Sequence, residues 1–246
     1  MNVQTPLSAL LRYSLKQRSE LLAALTREEA QELADILEQE ANRELWERIK
    51  LREAAWDRGP LLWMTRYTLT EDTHALAKGT PFKSPFPKNE YLRVVMQYML
   101  SEDALMITKS RELMMSWEAV AKITWECQFH DVFWLAQTGK EDKVADLVGY
   151  GRILYNNQSD WMKKKNPLVV DNATELKWAS GGRFLGIPKG EAQARMYHPH
   201  GYFQDESAFL PEAQQAFDAV RPVARQMLCV STDEMGFFHD ETRLEG

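Results

Sequence analysis

From about residue 88 onward the chain alternates short apolar runs with amphipathic stretches, and this alternation constrains the fold more than any other feature of the sequence. Residues 91–100 carry helical spacing, 105–108 form a short apolar run, and 116–129 are helical again. Residues 132–137 read as a second strand. Residues 140–157 read as a helix with Val144, Leu147, Val148 and Ile153 on one face. Residues 175–179 and 183–187 flank Ser180-Gly181-Gly182, the pattern of a hairpin. Residues 201–204 form another strand, 211–223 a helix and 227–231 a last strand. Strands separated by helices predict an α/β fold, a mostly parallel sheet flanked by helices on both faces. Ligands of such sheets gather at the carboxyl ends of the strands.

The N-terminal part differs. Residues 1–58 contain no glycine and are rich in Leu, Ala, Glu and Arg. Thr5-Pro6 offers a helix cap followed by proline at the first helical position, and Thr26-Arg27-Glu28-Glu29 is a capping box. Leu33, Ile36, Leu37, Ala41, Leu45 and Ile49 then recur at helical spacing. The expectation is an amphipathic helical arm over 1–58, ended by Gly59-Pro60. Residues 59–87 read as a linker, because Pro81, Pro85 and Pro87 force extended chain. The core domain is expected over 88–246.

Three polar turns follow three of the apolar strands, and all three fall on one carboxyl edge if those strands are parallel. The first is Lys109-Ser110-Arg111-Glu112-Leu113-Met114-Met115-Ser116, between a strand and a long helix. A phosphate site needs backbone N–H groups at a helix start, a cation, and a hydroxyl for Mg²⁺. Lys109, Arg111 and Ser116 supply the cations and the hydroxyl, although the glycines of G-x-x-x-x-G-K-[ST] are missing. The second turn, Asp205-Glu206, puts adjacent acids at a strand end, one suited to a metal shell and one to orienting a water. The third, Ser231-Thr232, is a polar pair at a strand tip, placed to sense a phosphate or simply to end the strand. Order and spacing bind the three into one reading.

With these motifs the chain resembles the ATPase domain of the large terminase subunit, the DNA-packaging motor of tailed bacteriophages, over roughly residues 60–240. That family's deviant Walker A loop often reads lysine or another residue, then Ser-Arg-Gln-x-Gly-x-[Ser/Thr]. Here Glu112 replaces the usual glutamine and Met114 the usual glycine. Its Walker B strand ends in Asp-Glu, matched by Asp205-Glu206, and its coupling motif is matched by Ser231-Thr232. Residues 180–189 resemble the hairpin region before Walker B. The resemblance implies a P-loop NTPase of the additional-strand, catalytic-glutamate (ASCE) type that hydrolyses ATP with Mg²⁺. It implies that residues 109–116 bind ATP, with Lys109 on the β- and γ-phosphates and Arg111 on the transferring phosphoryl group. Ser116 and Asp205 are implied as Mg²⁺ ligands, Glu206 as the group that orients the water, and Ser231 and Thr232 as the coupling pair. Adenine contacts are expected before the first strand, from Tyr91, Gln97 or Tyr98. The implied partners are double-stranded DNA, the small terminase subunit, the procapsid portal and further copies of the chain in a ring. The implied location is the cytoplasm of an infected bacterial host. The family also carries a nuclease domain, which is not expected within these 246 residues.

Composition fits a globular chain: 44% hydrophobic, 27% charged, net charge −6. That charge argues against a surface built for blanket binding of nucleic acid, while leaving room for a local basic groove. Cys127 and Cys229 lie in apolar runs and read as reduced core thiols. No run of about 18 apolar residues occurs, and no cationic leader precedes an apolar core. His198-Pro199-His200 reads as a turn before a strand rather than a metal pair, Lys163-Lys164-Lys165 as a solvated helix end with DNA contact as the alternative, and Arg183, Arg195 and Arg221 as surface salt-bridge cations with a trans-acting arginine for a ring neighbour as the alternative. Two other functional classes remain compatible: a helicase-like or other nucleic-acid-stimulated ATPase, and a non-catalytic α/β docking module.

Overall fold

The computed structural model describes Thr26 and residues 47–232, apart from 48, 53, 55–58, 72–74, 76–78, 80, 112 and 189. The chain divides into two units, residues 1–53 and 54–246, and the second is described below. Most of the expected arm over 1–58 lies outside the described residues, as does Glu112.

Gly59–Tyr67 forms helix α1 (written α1 to α7 below in chain order). This corrects the reading of 59–87 as linker throughout. Pro60 does not stop a helix here; it occupies the first turn, where its missing N–H is no loss. Nine residues make a marginal helix on their own. Trp63 and Met64 are fully buried, and burying two such side chains contributes about 4 kcal/mol. Trp63 packs edge-on against Phe129, with centroids 6.4 Å apart. Its indole N–H donates to the Gln158 side-chain oxygen at 3.2 Å. Beyond α1, β1 (Leu69–Glu71) and β2 (Lys83–Pro85) pair antiparallel, so the proline-rich stretch is extended, as its composition predicts.

The main elements then run α2 (Glu90–Ser101), β3 (Ala104–Thr108), α3 (Met115–Phe129), β4 (Phe133–Gln137), α4 (Glu141–Asn156), α5 (Asp160–Lys165), β5 (Leu168–Asn172), β6 (Glu175–Trp178), β7 (Arg183–Ile187), α6 (Glu191–Ala194), β8 (Gly201–Asp205), α7 (Ala213–Val220) and β9 (Gln226–Ser231). The seven-stranded sheet has the order β3-β9-β8-β4-β7-β6-β5. The five strands from β3 to β7 in that order are mutually parallel, and β6 and β5 add antiparallel at one side. The predicted mostly parallel sheet is therefore present, with one strand, β5, that the sequence pattern did not signal.

Alternation along the strands sorts the side chains between two layers. Leu135, Tyr202, Met227 and Cys229 face α6 and α7, where they pack with Ala194, Ala216, Phe217 and Val220. On the opposite face Trp134 lies under α3. Lys122 is fully buried there, 4.2 Å from the centre of the Trp134 ring and 2.8 Å from Glu126. The same ammonium reaches the Gln226 side chain, joining α3 to the start of β9. Both cysteines are buried and unpaired, as read from their apolar surroundings. His200 closes the turn before β8, donating its N–H to Phe133 O at 2.8 Å and accepting from Arg225 N at 2.8 Å.

Candidate active site

β3, β9 and β8 lie side by side and parallel, so the three polar turns that follow them share one edge. Thr108 is in register with Ser231, and Lys109 donates its backbone N–H to Ser231 O at 2.9 Å. β9 separates the loop strand β3 from the acid-tipped strand β8. This is the strand arrangement in which the helix start after β3 leans across β9 toward the end of β8.

Helix α3 begins at Met115. Its cap, Met114, adopts the left-handed conformation at φ 57° and ψ 17°, a conformation that favours glycine. Glu118 N donates to Met114 O at 2.9 Å, closing the first turn. In the first turn of α3, the Ser116 hydroxyl donates to Asp205 Oδ1 at 2.7 Å. The two residues lie 89 positions apart in sequence. Low-dielectric surroundings push the Asp205 carboxyl up to about 6, and the neighbouring Glu206 charge adds to that. The Ser116 hydrogen bond and the Lys109 charge oppose it.

Glu206 is exposed and also left-handed, at φ 55°, and it opens a short 3₁₀ turn over Ser207–Phe209. Ser231 holds this turn: its buried hydroxyl accepts the Ala208 N–H at 3.1 Å. The tip of β9 therefore supports the turn behind the two acids.

A cavity of about 120 Å³ opens at this point. Ser116, Asp205 and Glu206 line it, together with Thr138, Lys143, Asp146, Leu147 and Tyr150. The remaining predicted residues are elsewhere on the edge. Ser110, Arg111 and Leu113 are exposed on the loop and Lys109 is half-buried beside it. Met115 is buried in the core and Thr232 is half-buried. Tyr91, Gln97 and Tyr98 are exposed on α2 and do not line the cavity. Arg183 pairs with Glu175 at 2.6 Å, and Arg221 lies 5.9 Å over the Phe217 ring. Lys163, in the last turn of α5, pairs with Asp160 at 3.0 Å.

The α4 wall escaped the sequence reading. Lys143, Asp146, Leu147 and Tyr150 recur at i, i+3, i+4 and i+7, so one helical face carries them all. Lys143 Nζ is 3.3 Å from Asp146 Oδ2. Tyr150 stacks flat on Trp117, with centroids 4.2 Å apart and 18° between planes. Burial and the charge of Asp205 both raise the Tyr150 phenol above its ordinary value. The signal that could have found this wall is the polar tip Gln137-Thr138 of β4, the neighbour of β8.

Gln204 interrupts the apolar run of β8, and its partners explain why. Its amide donates to Ala213 O at 2.9 Å and to the Tyr202 hydroxyl at 3.1 Å, and it accepts from Ser207 Oγ at 2.8 Å. Tyr202 donates in turn to Gln137. Gln137 donates to Pro188 O at 3.2 Å and Gly190 O at 3.1 Å. The segments that follow β7 and β8 are thereby joined to β4 and β8 beneath the site.

The donor set suits a hard cation, since a hydroxyl and a carboxylate oxygen meet in a polar cleft beside a helix start. No protein-family model and no curated protein matches this sequence. Among solved structures, the Thermus phage P74-26 large terminase ATPase domain is 13% identical, with a TM-score of 0.46 over 70% of this chain and 73% of that one. The HK97 bacteriophage large terminase is 8% identical, with a TM-score of 0.52 over 70% of this chain, which spans 36% of that chain. The residues described above thus stand on an α/β fold, a mostly parallel sheet flanked by helices, similar to that of the HK97 bacteriophage large terminase.

Proposed function

We propose that this chain hydrolyses ATP to drive double-stranded DNA into a procapsid, as the ATPase of a large terminase subunit. The observation that carries the reading is the 2.7 Å hydrogen bond from Ser116 to Asp205 at the carboxyl edge, where the loop after β3 meets the acids after β8. On this reading Ser116 and Asp205 hold Mg²⁺, which when bound neutralises charge on the phosphates. The N–H groups at the start of α3, with Lys109 and Arg111, receive the phosphate oxygens. Glu206 orients a water and accepts its proton as the water oxygen attacks the γ-phosphorus. The bond to the ADP oxygen breaks, and ADP and phosphate leave. Ser231 and Thr232 transmit the change, because Ser231 already holds the turn behind Glu206. The partners are then the small terminase subunit, the portal, DNA and neighbouring copies of the chain in a ring, in the host cytoplasm.

ATP turnover of the wild-type chain, measured with Mg²⁺ and with and without double-stranded DNA, tests the reading. Glu206→Gln is expected to retain nucleotide binding and to lose about 10²-fold or more in kcat. Complete absence of wild-type turnover at high protein concentration, with a Glu206→Gln chain that binds no nucleotide, would count against it.

A further inference from the structure

Resting on the ATPase reading, we infer that Lys143 on α4 is a further phosphate-binding cation of this site, placed to contact the terminal phosphate of a nucleoside triphosphate. The loop lacks a cation at the position next to its hydroxyl. An ordinary phosphate loop carries its lysine immediately before the Ser/Thr. Here that position is Met115, which is 3% exposed and packed into the core. Lys109 stands at the opposite end of the loop, with its backbone tied to β9. The position directly before Ser116 therefore presents no cation to the cleft.

The cleft itself has one. Of the residues lining the cavity, Lys143 is the cation, facing the carboxylates of Asp146, Asp205 and Glu206. Its pairing with Asp146 is an i, i+3 contact at 3.3 Å between side chains 55% and 58% exposed. Such a pair is weak, because water screens it and two flexible stems must be ordered to make it. A triphosphate offers more charge and more acceptors than one solvated carboxylate. The lysine stem has four rotatable carbons, so the ammonium can leave Asp146 without moving the helix. The hydrogen bond to Asp146 and its charge raise the proton affinity of Lys143, and Glu206 adds a smaller contribution, so the ammonium stays charged in the cleft. Asp146 serves as the resting partner, holding the ammonium at the wall until the anion enters.

Binding of ADP and of the non-hydrolysable β,γ-imido analogue of ATP, each with Mg²⁺, separates the outcomes when measured on the full chain. Lys143→Met is expected to weaken the triphosphate analogue about tenfold while leaving ADP unchanged. Lys143→Arg is expected to restore most of the loss, and Asp146→Asn to tighten the analogue by freeing the ammonium. Melting temperatures of the variants verify that each is folded. Equal affinities for the analogue in wild type and Lys143→Met overturn the inference and leave the ATPase reading standing. Equal loss of ADP and analogue also overturns it, since that marks a structural role. A wild type that binds neither nucleotide overturns both.

Discussion

At the end of the loop after β3, Met114 holds a backbone conformation that glycine adopts freely and other residues adopt at a cost of about 1 kcal/mol. The glycine missing from the motif is therefore missing as a residue but present as a geometry. A methionine tolerates the left-handed region because its side chain is unbranched at Cβ, whereas a β-branched residue does not. Met114→Gly is accordingly expected to keep the fold and nucleotide binding. Met114→Val is expected to lose about 2 kcal/mol of stability and to weaken nucleotide binding. Thermal melts and nucleotide titrations of the two variants check this, and equal behaviour of both contradicts it. The order and spacing of three polar turns, rather than any residue taken alone, brought Ser116, Asp205 and Glu206 together in the sequence as candidates. That pattern missed Lys143, Asp146 and Tyr150. Their meaning lies in which face of α4 turns toward β8, and no single residue states that.

Among the elements, the C-terminal end of α3 and the β6–β7 hairpin approach each other backbone to backbone at Gly182. A Cβ on Gly182 would lie 1.8 Å from Cys127 O, so only a bare backbone fits there. A Cβ on Gly139, after β4, would meet nothing within 4 Å. Gly182→Ala is expected to cost about 3 kcal/mol or more, and Gly139→Ala to change stability by less than about 0.5 kcal/mol. Melting temperatures of the pair test the contrast. Strands β3, β4, β7, β8 and β9 were legible in the sequence because each is a short apolar run set off by polar or glycine-containing turns. β5 was not legible. Its run Leu168-Val169-Val170 is brief, follows Pro167 and a lysine cluster, and lies at the sheet's margin with Val169 60% exposed. α1 was hidden by Pro60, which reads equally well as a stop or as the first residue of a helix.

For the molecule as a whole, the dependence of stability on pH has an identifiable source. Glu118 lies fully buried in α3, and neither carboxyl oxygen has a hydrogen-bond partner. Burial pushes its carboxyl from an ordinary 4.5 up to about 8. The folded chain thus keeps a proton that the unfolded chain releases. The stability linked to that proton is fully present below pH 4.5 and declines as pH rises toward 8. Glu118→Gln is expected to match the wild type near pH 4 and to exceed it by about 3 kcal/mol near pH 8. Denaturant melts at the two pH values measure the difference, and parallel curves contradict the assignment. Among the described residues no helix is long and apolar enough to cross a membrane. The hydrogen-bonded chain through Gln137, Tyr202, Gln204 and Ser207 has a last implication. Adjacent residues of a strand point to opposite faces, so Asp205 looks into the cleft while Gln204 grips the loops on the far side. One strand thus ties the acid tip on one side of the sheet to an anchorage on the other, directly at Ala213 and, through Tyr202 and Gln137, at Pro188 and Gly190.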